Sequence, residues 1–318
     1  MKKLQINMFS CRHKNHRFGF SIKMFNELQQ IQNRDSVKFV VHAEEEVARA
    51  WHQYLTTHRT DIEVSLVPYP SEKYLDRVYS SQSSECKYSC KLDDDVLISR
   101  HVWDYMIENL DKITNETPII APILTNGIPT VDLFIEDFLS EEDLKIAHDL
   151  LLKGRISENQ WGLDYSKVNE KIESMSEWNG REFWDFMDVV DTGHERLPVP
   201  WSYFCVRGVH PARYSREFNL FIARKIAENK EKFFGKNDYR LETYKAPYFT
   251  NNLFISETEY WKNTTPLHND GWDEGQLTLR MLMDKSSVLY VRNGFGIHMA
   301  YGMTEGQMEI EREYTEKL

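Results

Sequence analysis

The segment Lys91-Leu92-Asp93-Asp94-Asp95-Val96 sets three carboxylates side by side directly after an alternating apolar run. Like charges this close destabilise one another unless a cation or several donors neutralise them. Hard oxygen donors of this kind suit Mg²⁺ or Mn²⁺, which take one or two carboxylates together with a substrate's phosphates. Along an extended chain Asp93 and Asp95 point the same way and Asp94 the other, so the outer pair can share one site. The competing reading is an acidic turn capping the helix that follows, where Asp is favoured.

Two later segments offer further chemistry. Asp270, Trp272, Asp273 and Glu274 fall within His268-Asn269-Asp270-Gly271-Trp272-Asp273-Glu274-Gly275-Gln276. Asp273 with Gln276 is also a capping box for a helix expected over Asp273 to Met283. The two readings are compatible, because a carboxylate at a helix start is held rigidly enough to take a proton. His298 sits in Gly294-Phe295-Gly296-Ile297-His298-Met299-Ala300. An imidazole accepts Mn²⁺ more readily than Mg²⁺, although a lone histidine in an apolar strand is often simply hydrogen-bonded structure. Arg12, His13, Lys14, His16 and Arg17 crowd the end of the first expected strand, as an anion-facing loop or a solvated basic one.

These groups need a frame, and the order of elements supplies one. Leu4 to Phe9, Val37 to Val41, Ile62 to Val67, Tyr88 to Leu92 and Ile119 to Leu124 read as strands. Between them Phe20, Met24, Phe25 and Leu28 share one helical face, and further helices are expected over 44–55, 74–81 and 102–110. This β-α-β-α order with short connections predicts a largely parallel sheet covered by helices. Ligands of such sheets bind outside the carboxyl ends of the strands. The polar loops after Phe9, after Val41 and at Asp93 then share one rim. Further on, an acidic helical hairpin is expected over Asp132 to Lys153, a strand over Trp201 to Val206 and a helix over Phe218 to Phe234. A strand over Tyr248 to Ser256 follows, and two short ones over Val288 to Val291 and Gly296 to Ala300.

Composition narrows the class. The chain is 41% hydrophobic, enough for a core and against disorder. Its 39 basic and 50 acidic side chains leave a net charge of −11, which disfavours bulk attraction to nucleic acid without excluding a local groove for a DNA acceptor. No apolar run approaches the roughly 20 residues of a spanning helix, and no signal peptide is read at the start. The four cysteines show no CxxC pair or zinc spacing. Reduced thiols in a cytoplasmic protein are the expectation. Without a linker between the halves, residues 1–318 are expected to form one composite domain.

With these residues in view, residues 1–125 resemble the nucleotide-sugar-binding half of a GT-A fold glycosyltransferase of the family-2-like kind. Asp93-Asp94-Asp95 resembles its DxD motif, and Arg77 stands where many members carry an arginine near the donor nucleotide. The asparagine and glycine that usually follow that arginine are here Val78 and Ser80. The resemblance implies an α/β fold with a mixed, mostly parallel Rossmann-like sheet flanked by helices. Residues 126–318 would form the acceptor half, with a helical insertion. It implies Mn²⁺ or Mg²⁺ held by Asp95, His298 and Asp93, and donor contacts from Ser10, Arg12, His42, Arg77, Asp93 and Asp94. Asp273 or Glu274 would be the catalytic base of an inverting transfer, with Trp272 and Asp270 facing the acceptor. The expected donor is a nucleotide sugar, a UDP-sugar first, and the expected acceptor a surface glycan. Alternatives are transfer to a protein or to a modified base of viral DNA, a nucleotidyltransferase, and a non-catalytic sugar-nucleotide-binding protein.

Overall fold

The computed structural model describes residues 3–11, 18–70, 77–78, 80–81, 85–125, 130–156, 166–187, 210–244, 251–264, 277, 280–281, 283–299 and 307–318. In chain order the strands are β1 (Leu4–Ser10), β2 (Val37–Glu44), β3 (Glu63–Tyr69), β4 (Tyr88–Asp93), β5 (Val96–Ile98), β6 (Ile119–Leu124), β7 (Arg240–Tyr244), β8 (Leu253–Glu257) and β9 (Val288–His298). The longer helices are α1 (Phe18–Gln29), α2 (Glu45–Thr57), α3 (Arg100–Glu108), α4 (Thr130–Phe138), α5 (Glu141–Lys153), α6 (Ser166–Ser174), α7 (Gly180–Met187), α8 (Arg216–Glu228), α9 (Lys230–Phe234), α10 (Thr258–Lys262) and α11 (Gln307–Lys317). They fall into two compact units, one of residues 1–123 with 234–298, the other of 124–233 with 299–318.

Among the described residues the first unit is built on a nine-stranded sheet in the order β3-β2-β1-β4-β8-β6-β9-β5, with β7 paired to β9. β1, β2, β3 and β4 are mutually parallel, β8 runs against β4, and β6 runs against β8. The parallel strands with helical cover are what the β-α-β-α order implied, and the antiparallel ones make the sheet mixed, as the resemblance implied. β1 is buried along its whole length, because it lies between β2 and β4 and has helices to bury its faces. Phe25 and Leu28 of α1, Trp51 of α2 and Met106 of α3 are fully buried in that cover. The register sets Phe9 beside both His42 and Asp93, so the carboxyl ends of β1, β2 and β4 form one rim.

Several expectations shift. Ser89 and Lys91, the polar residues that alternate with Tyr88, Cys90 and Leu92 on β4, are buried. A central strand covered on both faces has no solvent side, so its polar residues must be paired instead. Cys86 precedes β4, which begins at Tyr88 as expected. The two short strands expected near the end are one, β9, whose residues 288–292 pair with β7 and 296–298 with β5. Between those stretches Asn293 takes φ 60°, a left-handed conformation that asparagine tolerates better than most residues and that β-bulges use. The helix expected over Phe218 to Phe234 breaks at Asn229 into α8 and α9. β8 begins at Leu253. The strand expected over Trp201 to Val206 lies outside the described residues.

The second unit is helical in its described part. Ser140 caps α5 by accepting from the Asp143 N–H, and Glu141, Glu142 and Asp143 fill its first turn, where the helix dipole favours acids. Its core contains a buried carboxylate, Asp132 of α4. Trp178 Nε1 donates to Asp132 Oδ1 at 2.9 Å and Trp184 Nε1 to Oδ2 at 3.0 Å. His210 Nδ1 accepts from the Ala212 N–H, and its Nε2 is 3.5 Å from Asp132 Oδ2. Burial alone would raise the Asp132 pKa, but His210 and the two indole donors outweigh it and hold the carboxyl below its ordinary range. A Cβ on Gly180 would lie 2.5 Å from Asp132 Cγ, so only glycine lets α7 start this close.

Candidate metal and donor site

β4 ends at Asp93, β5 begins at Val96, and Asp94-Asp95 form the tight turn between them. β5 pairs antiparallel with the end of β9 so that Val96 faces His298. That β5–β9 pairing brings a residue about two hundred positions downstream (298 − 95 = 203) to the acidic turn. Ligand atoms of Asp93, Asp95 and His298 all lie within 4.8 Å of one another, and all three residues are buried. His298 Nε2 is 3.7 Å from Asp95 Oδ1.

The three acids have different surroundings. Asp94 Oδ2 accepts from Ser10 Oγ at 2.9 Å and from the Cys11 N–H at 3.2 Å, while Ser21 Oγ donates to the Asp94 carbonyl at 2.7 Å. Asp94 thus ties the end of β1 and the start of α1 to the turn. Asp93 Oδ1 accepts from Lys91 Nζ at 2.9 Å and Oδ2 from Asn252 Nδ2 at 2.6 Å. The Asp93 N–H also donates to the Asn252 carbonyl at 2.8 Å, so Asp93 is fixed from β4 and from the approach to β8. Asp95 and His298 complete the cluster.

The donor set fits a divalent cation. Metal bonds of about 2.1 Å put neighbouring octahedral ligands about 3 Å apart and opposite ones about 4.2 Å apart, and this cluster needs only small side-chain movements to match. Two carboxylates with an imidazole favour a first-row transition ion such as Mn²⁺ over Mg²⁺.

A buried polar chain runs from the body of β1 toward the same rim. Gln5 Nε2 donates to Asn7 Oδ1 at 2.7 Å and to the Ser81 carbonyl at 2.7 Å. His42 Nε2 meets Asn7 Oδ1 at 3.0 Å, and Arg77 Nε donates to His42 Nδ1 at 2.7 Å. An acceptor at Nδ1 and a donor at Nε2 define a neutral imidazole, the form that burial and then the Arg77 charge favour by pushing its pKa down to about 3. The ring also stacks on Phe9 at 4.9 Å. Arg77 is half-buried, and burial lowers its pKa from the ordinary value. Its Nε contact is to a neutral ring.

Of the residues read from the sequence, Asp93, Asp95 and His298 meet, and Ser10, Asp94, His42 and Arg77 lie along the adjoining strand ends. Arg12, Asp270, Trp272, Asp273 and Glu274 lie outside the described residues. Lys91 and Asn252 were not anticipated. Lys91 carried a usable signal, since a lysine two positions before an acid on one strand shares its face; Asn252 carried none. Among the described residues Cys11, Cys86 and Cys90 form no disulfide. Among the described residues no helix is long and apolar enough to cross a membrane.

No protein-family model and no curated protein matches the chain. Solved structures with a similar arrangement include a cytidylyltransferase from Leptospira borgpetersenii, at 15% identity and TM-score 0.30, over 38% of this chain and 53% of that one. Another is the mannosyltransferase PcManGT from Pyrobaculum calidifontis in complex with GDP-Man and Mn²⁺, at 14% identity and TM-score 0.33, over 41% and 37%. A third is mouse xyloside xylosyltransferase 1, at 12% identity and TM-score 0.28, over 38% and 52%. The chain thus spans about half the length of the first and third and less of the second.

Proposed function

We propose that the chain is a metal-dependent glycosyltransferase that moves a sugar from a nucleotide-sugar donor to an acceptor hydroxyl. The observation that carries this reading is the convergence of Asp93, Asp95 and His298 at the carboxyl end of the parallel strands. This is where open α/β sheets bind nucleotides. In this reading Asp95 and His298 hold the cation, and Asp93 orients a ribose hydroxyl or a metal-bound water. A divalent ion there would supply Lewis-acid stabilisation to a leaving diphosphate. Arg77, braced by neutral His42, adds a fixed positive charge for the donor's phosphates. Ser10 and Asp94 hold the β1 end in place beside it.

For the acceptor step we propose Asp273 or Glu274 as the base that takes the hydroxyl proton during in-line attack, with inversion at the anomeric carbon. Trp272 would stack on the acceptor sugar and Asp270 would bond its hydroxyls. A surface glycan is the proposed acceptor class and a UDP-sugar the proposed donor. A thermal-shift screen of nucleotide sugars with Mn²⁺ tests the donor half of this reading. A shift confined to one nucleotide family, absent with chelator, supports it; no shift with any nucleotide sugar counts against it.

A further inference from the structure

Lys91 is a charged side chain that the reading above does not use, and its placement is unusual. It is 1% exposed, on the central strand β4, where an unpaired ammonium would carry a heavy desolvation penalty. Its Nζ donates to Asp93 Oδ1 at 2.9 Å and to the Asn251 carbonyl at 2.9 Å. A lysine whose task was only to fill a core would be better replaced by methionine. This one places an ammonium in an ion pair with Asp93, inside a cluster of acids.

The charge sum gives that placement a meaning. Asp93, Asp94 and Asp95 contribute −3, Lys91 contributes +1, and a ligating His298 is neutral, which leaves −2. One divalent cation brings the buried cluster to zero, whereas a trivalent ion would leave it at +1. Without the lysine the balance moves to −3, which a trivalent ion neutralises. We propose that Lys91 is a specificity-determining residue that sets the charge of the ion accepted by Asp93, Asp95 and His298. This rests on those three residues holding a cation, but not on the transfer reaction. Asp93 keeps lone pairs beyond the Lys91 bond, so lysine and ion share the carboxylate instead of exchanging there.

Binding of Mn²⁺, followed by loss of the free-ion EPR signal, and of Tb³⁺, followed by luminescence, tests it on the full chain. Coulomb energy scales with the ion's charge, so removing a neighbouring cation helps a trivalent ion half again as much as a divalent one. In Lys91→Met and in Lys91→Gln the ratio of Mn²⁺ to Tb³⁺ dissociation constants is expected to rise at least about tenfold over wild type. Lys91→Gln keeps a hydrogen-bond donor where Lys91→Met fails to fold. Lys91→Arg, which keeps the charge, is expected to stay within about threefold of the wild-type ratio. A purely structural lysine would weaken both ions together and leave the ratio unmoved. An unchanged ratio in a folded neutral variant overturns the assignment. Wild type that binds neither ion overturns it too, by removing the cation site itself, and so tells the two failures apart.

Discussion

His298 Nε2 stands 3.7 Å from Asp95 Oδ1 because the backbone of His298 pairs with Val96, the residue after that aspartate. Strand register alone therefore decides whether the imidazole faces the acidic turn. A shift of one residue in β9 would carry His298 to the opposite face of the sheet.

That register depends on the irregularity at Asn293-Gly294. A Cβ on Gly294 would lie 2.6 Å from Val291 Cγ1 and 3.0 Å from both Val291 Cβ and the Val291 carbonyl oxygen, so a rotamer change at Val291 does not clear it. Gly294→Ala is expected to cost about 1–3 kcal/mol, as overpacked sites do, and to weaken Mn²⁺ binding by moving His298. Thermal unfolding together with Mn²⁺ titration measures both. Unchanged stability and affinity would show that β9 reaches the turn without this feature.

Acid should weaken the first unit through His42. Its folded pKa of about 3 lies below the ordinary value, so between those pH values the unfolded chain binds a proton that the folded chain does not. Stability then rises with pH across that window, by up to about 1.4 kcal/mol per pH unit for one such group. His148, whose pKa burial also lowers, adds a slope that both proteins share. His42→Gln should melt with a shallower pH dependence between about pH 4 and 6.5 than wild type. Parallel curves would mean that His42 is not held neutral.

Arg77→Lys should be far from conservative. The Nε that donates to His42 has no counterpart in lysine, so the replacement loses its brace along with its planar fork. If Arg77 meets the donor phosphates, nucleoside diphosphate affinity should fall about tenfold, with Mn²⁺ affinity in the absence of nucleotide little changed. Calorimetric titration of each ligand separates the two. A loss of Mn²⁺ binding alone would assign Arg77 to the shape of the rim instead.

In the second unit, Asp132→Leu removes the acceptor of two buried indole N–H groups. Each unsatisfied donor costs about 1–3 kcal/mol, so a loss of about 2–6 kcal/mol is expected. Denaturant unfolding followed by tryptophan fluorescence reads this directly. A variant as stable as wild type would show that the indoles find other acceptors.

Much of this was legible in the sequence for identifiable reasons. The parallel half of the sheet followed from apolar runs alternating with helical spacing, and Asp93-Asp94-Asp95 stood out because three adjacent acids need neutralising. β5 is too short for periodicity to register, and the β7–β9 pairing joins residues about fifty apart that share no local pattern. The burial of Lys91 was not legible, because alternation reports two unlike faces but not whether the polar one is solvated. Asp132 belonged in sequence to an acidic helix like any other. Only tertiary packing brings Trp178, Trp184 and His210 around it.

The most direct test of the central claim is product analysis with the nucleotide sugar that the thermal-shift screen identifies. Wild type should release nucleoside diphosphate in a Mn²⁺-dependent manner, and chelator, Asp95→Asn or His298→Ala should each lower the rate at least a hundredfold, about 2.7 kcal/mol in the barrier. Release of pyrophosphate, or diphosphate release that persists in folded Asp95→Asn, would contradict the account.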